Sequence, residues 1–225
     1  MISRLIPLVL FISCAATSGA QAIGANPTLA ENPARHGWSA HLAFELTTPT
    51  GSQGRWSTGG GATFTMAYTY YLTSRWFISP GLGGFYNTMG TDFIPEYGTL
   101  YEGTIKNFGV RVPVYSGYNF KLPGDFELAV ATGPAININV YAREHASPNF
   151  SAEVIEPDKP VNLFGRGFNH VDLQWSFFAG LTYREHYCVG ISAAFGLTNV
   201  ATITDGPCTL HVHRNNVALL LSYKF

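Results

Sequence analysis

Apolar and polar residues alternate with a period of two along most of the chain beyond residue 35, and the alternation falls into eight segments. In the first, Trp38, Ala40, Leu42, Phe44 and Leu46 alternate with Ser39, His41, Ala43, Glu45 and Thr47. The second sets Ala62, Phe64, Met66, Tyr68 and Tyr70 among threonines, and the third, Trp76 to Met89, is interrupted by Pro80 and several glycines. The fourth runs from Phe108 to Phe120, the fifth from Phe126 to Val140, the sixth from Val171 to Tyr183 and the seventh from Tyr187 to Leu197. The last, Val217 to Phe225, presents Val217, Leu219, Leu221, Tyr223 and Phe225 on one face. Eight β-strands are predicted.

The connections sort by length. Thr73-Ser74-Arg75, Lys121 to Asp125 and Arg184-Glu185-His186 are short turns, the second fixed by Pro123 and Gly124. Thr48–Gly60, Gly90–Lys106, Tyr141–Phe168 and Thr202–Leu210 are longer loops. Strict alternation of long and short is the asymmetry of an outer-membrane barrel, with short periplasmic turns and longer external loops. The expected fold is all-β, an eight-stranded antiparallel up-and-down transmembrane barrel over residues 36–225. A feature not used to place the strands agrees with the map: the periplasmic strand ends collect outward aromatics, Trp38, Tyr70, Trp76, Tyr118, Phe120, Phe126, Tyr183, Tyr187, Tyr223 and Phe225, at least one from each strand. A soluble lipocalin-like barrel would have no reason for such a girdle.

Composition supports this picture. Charged residues make up 12% of the chain, against about 25% in soluble proteins, so part of the surface faces something other than water. Residues 1–22 read as a secretory signal, with Arg4, an apolar run from Leu5 to Ile12 and the Ala20-Gln21-Ala22 cleavage site; residues 23–35 form a flexible lead-in. Cys14 would permit lipidation, but Phe11-Ile12-Ser13 departs from the lipoprotein pattern. Beyond the signal no apolar run is long enough for a membrane helix. A net charge of −1 without a basic patch argues against nucleic-acid binding. Cys188 and Cys208 are placed at opposite ends of one strand, roughly 40 Å apart at about 3.3 Å per residue, and are expected to be free thiols.

The signal sequence, Phe195-Gly196-Leu197-Thr198-Asn199-Val200 and the closing Leu221-Ser222-Tyr223-Lys224-Phe225 resemble the small outer-membrane barrels of the OmpA-like and PorT-like type found in Bacteroidetes. The resemblance implies fold and location, and little about activity.

Inward positions include Phe77, Phe85, Tyr115, Phe178 and Leu220, which should fill an eight-stranded barrel. Four inward charges, Glu45, Arg111, Asp172 and Arg214, with His41, Gln174, Asn137 and Asn216 as neutral partners, suggest an ion-pair network centred on Arg111 with Glu45 and Asp172, because an unpaired buried charge is costly. The expected role is structural or surface-recognising with a plugged interior. A narrow gated pore is the alternative, as is an enzyme acting on lipid A or peptides through rim histidines His145, His170, His211 and His213. His211 and His213 share one strand face in a spacing that suits metal ligands, but no nucleophile and base are positioned with them, so no catalytic residue, metal or cofactor is assigned. Expected partners are outer-membrane lipid and lipopolysaccharide, the barrel-insertion machinery through Phe225, and a ligand of the 141–168 loop; the chain is expected to be a monomer. Deletion of Phe225 should impair assembly, read as loss of the heat-modifiable gel form from outer-membrane fractions; normal insertion of the truncated chain counts against the reading.

Overall fold

A computed structural model describes residues 36–51, 55–93, 101–148, 161–164, 167–205 and 208–225. Residues 1–35, expected to be a signal peptide and lead-in, and residues 149–160 of the expected third loop lie outside the described residues.

Eight long strands form one antiparallel sheet: β1 (His36–Gly51), β2 (Gly59–Tyr71), β3 (Trp76–Phe93), β4 (Tyr101–Lys121), β5 (Phe126–Pro148), β6 (Val171–Tyr183), β7 (Tyr187–Gly196) and β8 (Cys208–Lys224). Each pairs with its neighbour in sequence, and β1 also pairs with β8, from Ser39 opposite Lys224 to Gly51 opposite Val212. The sheet therefore closes into an eight-stranded barrel, which leaves no open edge along the paired length. Three short segments extend it: Arg55–Ser57 on β3, Val161–Asn162 on β5 and Ala201–Asp205 on β8.

Strand parity sets the two faces. Phe44, Leu46, Phe64, Ile136, Ile191 and Leu219 are exposed, while Ala43, Glu45, Thr63, Ala135 and Ser176 between such residues are buried inside. Facing apolar side chains outward and burying threonines, asparagines and charges is the reverse of a soluble protein, and is the arrangement a lipid surround requires. The girdle residues sit against one another around one rim. Ring centroids are 5.2 Å apart for Trp76 and Tyr118, 4.7 Å for Tyr118 and Phe120, 5.0 Å for Phe126 and Tyr183, and 5.4 Å for Tyr187 and Tyr223. Tyr223 and Phe225 stand 5.2 Å apart, and the Phe225 amide donates to the Trp38 carbonyl across the closure. Tyr68, which packs 5.2 Å from Trp38, belongs to the same ring although the sequence pattern treated it only as part of an apolar face.

Several expected boundaries change. The loop expected over 90–106 is mostly strand, since β3 and β4 remain paired to Phe93 opposite Tyr101. The loop expected from Tyr141 begins with eight more residues of β5. A bulge explains why alternation was lost there: Phe108 lies opposite Tyr141 but Gly109 opposite Asn139, so Val140 is the extra residue. Val140 and Tyr141 both point outward, and Ala142 resumes the inward face with opposite parity. The loop expected over 202–210 likewise gives way to strand, with Ala201–Asp205 paired to a closing strand that starts at Cys208, and β7 ends at Gly196. With 23 residues, β5 is about twice the length a tilted strand needs to span the hydrocarbon, so the excess stands beyond the membrane on the side opposite the girdle.

The 184–186 turn reverses the chain with Arg184 and Glu185 at φ of 48° and 61°, the left-handed conformation that a tight hairpin demands even without glycine. Cys188 is a buried free thiol on β7 opposite Ser222, whereas Cys208 begins β8. The two cysteines therefore lie on neighbouring strands and not on one, and Ser222 and Cys208 are separated by the length of β8, about 45 Å at the rise of a strand. Migration on a denaturing gel should be the same with and without reductant; a reductant-sensitive shift attributable to a 188–208 bridge contradicts this register.

Candidate functional site: the barrel interior

Inward side chains divide the bore into three levels. On the external side, Met89, Ile105, Ala142 and Val212 from the strands meet Phe168, Val200 and Ala201 from the loops in a buried apolar cluster, flanked by Leu163 and Phe164. Backbone hydrogen bonds hold the two loop segments to each other and to the strands: Asn169 N–H to the Val200 carbonyl (2.8 Å), Thr202 N–H to Gly167 (2.7 Å) and Val200 N–H to Val212 (2.7 Å). Gly167 turns at a φ of 96°, which returns the chain inward to seat Phe168. The described end of the 141–168 loop thus lines the mouth of the barrel instead of presenting a free recognition surface.

Beneath this cap lies a polar layer. Arg111 forms an ion pair with Glu45, whose oxygens also accept hydrogen bonds from Thr63 Oγ1 (2.6 Å) and Asn216 Nδ2 (3.0 Å). Arg214 forms a second ion pair with Asp172, its Nη2 reaching both carboxylate oxygens at 2.9 and 2.6 Å. The expected assignment of Asp172 to Arg111 is therefore corrected. Register puts Asn137 directly between Arg111 and Asp172, so an amide bridges them: Arg111 Nε donates to Asn137 Oδ1 (2.8 Å), and Asn137 Nδ2 donates to Asp172 (3.0 Å) and to Gln174 (3.0 Å). Asn139 adds a further donor to Asp172 at 3.0 Å and accepts one from Asn107 at 2.8 Å. All four charges are buried, two of each sign, so the layer is neutral.

Phe85, 1% exposed, packs against both cations, with its ring centroid 5.3 Å from the Arg111 guanidinium carbon and 4.7 Å from that of Arg214. The ring offers each guanidinium a favourable electrostatic contact in the barrel interior. Space for the ring comes from Gly109, where a Cβ would lie 2.8 Å from the Phe85 ring edge. Neither the packing of Phe85 against both arginines nor the part of Asn107 and Asn139 in the network followed from the sequence pattern, whereas Asn137 is among the expected neutral partners. Their signal is asparagine recurring at inward positions of adjacent strands, and Asn107 falls between the loop expected to end at Lys106 and the strand expected from Phe108.

On the periplasmic side the bore does not fill. A cavity of about 100 Å³ remains, with Glu45 and Arg111 at its inner end, Phe77, Tyr115 and Phe178 on its walls and Lys224 at its mouth. The expectation that side chains fill the barrel holds for the external half and is corrected for this one. Tyr115 and Phe178 stand 6.5 Å apart and leave room between the walls.

The four rim histidines are dispersed. The His170 ring stacks on Phe164 at 4.1 Å, His211 Nδ1 bonds the Asn199 amide at 2.9 Å, His213 lies opposite Thr50 and His145 opposite Thr104. Among the described residues no group of three or more His, Cys, Asp or Glu side chains is arranged to hold a metal.

A family model described as "Outer membrane protein beta-barrel domain" matches residues 32–202. No curated protein matches significantly. Among solved structures, the attachment invasion locus protein Ail of Yersinia pestis, in complex with the heparin analogue sucrose octasulfate, is 11% identical with a TM-score of 0.43, covering 85% of this chain and 99% of its own. The outer membrane protein OprG of Pseudomonas aeruginosa is 12% identical with a TM-score of 0.48, covering 84% and 96%. Neisserial surface protein A is 10% identical with a TM-score of 0.40, covering 85% and 99%.

Removing one member of an ion pair leaves its buried partner uncompensated, which costs about 3–5 kcal/mol. Arg214→Gln should therefore lower unfolding stability by about that amount, measured by urea titration of the heat-modifiable gel form. The double variant Asp172→Asn, Arg214→Gln should recover a substantial part; equal or greater loss in the double variant refutes the pairing.

Proposed function

The chain belongs to the family of outer membrane protein beta-barrel domains, and from that premise we propose that it is a closed, monomeric barrel serving a structural or surface-recognition role, neither conducting solutes nor catalysing a reaction. On the same footing we place removal of residues 1–22 as a signal peptide, insertion by the barrel-assembly machinery, and kinship with the OmpA-like and PorT-like barrels of Bacteroidetes.

The observation that carries this reading is the double closure of the bore. A solute crossing from outside would have to displace the apolar cluster around Met89, Phe168 and Val212, then part the Phe85 layer with its two ion pairs. Opening the second layer means separating buried opposite charges in a low-dielectric bore, which is the costliest way to gate a channel. The periplasmic cavity ends blindly against Glu45 and Arg111. Catalysis is disfavoured because the rim histidines have dispersed partners, an amide, an aromatic ring and strand neighbours, instead of a shared nucleophile. The role is then left to the external surface, a rigid frame carrying long strand extensions and loops.

Planar-bilayer recordings test the reading. Neither the wild-type protein nor Arg111→Ala should show stepwise conductance, since the Arg214–Asp172 pair and the apolar cap still block the bore in the variant. Reproducible channels in the wild type overturn the proposal in favour of a pore.

A further inference from the structure

A basic pair on the outer wall does not enter the closure of the bore. Lys106 of β4 and Arg143 of β5 are directly opposite each other in the sheet and share its outward face. Like charges in this position destabilise a strand pair, and among the described residues neither has a carboxylate partner. His145 follows on the same face of β5, opposite Thr104, and Thr88 and Asn162 flank the pair at its own level.

The height of the pair can be read from the strands. Trp76 and Tyr118 mark the periplasmic girdle, and Tyr86 and Phe108, opposite each other, stand ten residues further along their strands. At about 3.3 Å per residue and a tilt of about 40°, ten residues rise about 25 Å, the height of the apolar band of a barrel. Tyr86, Phe108 and Tyr141, all exposed and in one row, therefore form an external aromatic row at the far edge of the hydrocarbon. Lys106 and Arg143 come two residues beyond Phe108 and Tyr141 on the same face, at the level of the outer-leaflet headgroups. The Arg143 guanidinium carbon lies 5.1 Å from the Tyr141 ring centroid, so the side chain is already held against the wall.

We propose that Lys106 and Arg143 form a docking site for a phosphate group of the outer-leaflet glycolipid, with His145, Thr88 and Asn162 as its polar surround. A phosphate between the two side chains would turn their repulsion into paired attraction, and a guanidinium suits its oxygens in a bidentate geometry. The acyl chains would lie along the apolar wall beneath, over Phe108 and Tyr141. This inference rests on the orientation given by the outer-membrane reading, with the girdle at the periplasmic face.

Native mass spectrometry of the detergent-extracted protein, in the presence of a chelator, tests it with bisphosphoryl lipid A, its dephosphorylated form and phosphatidylglycerol as probes. The wild type should retain bisphosphoryl lipid A over both other lipids. Lys106→Gln, Arg143→Gln should lower retention roughly 30-fold, as two surface charges are worth to an anionic headgroup. Lys106→Arg should preserve retention, as should Arg75→Gln at the periplasmic turn, where Arg75 Nη1 donates to Tyr118 at 3.0 Å. Equal retention of phosphatidylglycerol, equal retention by the double variant, or an equal loss in Arg75→Gln overturns the site. Heat-modifiable migration is checked for every variant, so that failure of the barrel or membrane reading registers separately from failure of the site.

Discussion

A backbone amide in hydrocarbon has no water to bond, and every strand in the membrane must find its hydrogen-bond partners within the sheet. The pairing of β1 with β8 meets that demand by removing both edges at once. Closure in turn gives each strand one lipid face and one interior face, and the whole residue pattern follows. Ile191 and Val217 are 63% and 60% exposed although they are among the most apolar side chains present, while Thr47, Asn137 and Gln174 are fully buried. The aromatic ring at the periplasmic rim follows from the same geometry, because strands that end at one height bring their interfacial residues into contact around the circumference.

Inside so narrow a bore, polar groups must satisfy one another. Two separate ion pairs joined by Asn137 engage both carboxylates, of Glu45 and Asp172, with neutral total charge, and the Phe85 ring packs against both cations. The layer thickens toward the outside, where asparagines and Gln174 crowd around Asp172, and thins toward the periplasm, where alanine, serine and threonine leave a cavity. Side-chain hydrogen bonding is thus denser toward the external half, the half that carries the long strand extensions.

That external half is closed by loops that return into it. Phe168 and Val200 are apolar residues outside the strands and Ala201 opens a short strand, and they are buried because the mouth offers Met89, Ile105 and Val212 as a surface to cover. A loop anchored this way has part of its length committed to the barrel, and what it can offer outward is reduced accordingly. On the outer wall below, the Arg143 guanidinium lies against the Tyr141 ring.

The sequence by itself determined the number of strands, which residues face lipid, the aromatic rim and the inward direction of Glu45, Arg111, Asp172 and Arg214, because a period of two is a local property that each strand carries without its neighbours. It did not determine which charge meets which. Asp172 joins Arg214 and not Arg111 because register places Asn137 between them, and register is a relation among strands far apart in the chain. Nor could it follow β5 past Val140, where one bulged residue reverses parity and only the pairing with β4 shows that the strand continues. The apolar cap and the periplasmic cavity were also beyond it: both depend on how much volume remains after all eight strands have contributed their side chains, and that is decided only when the barrel closes.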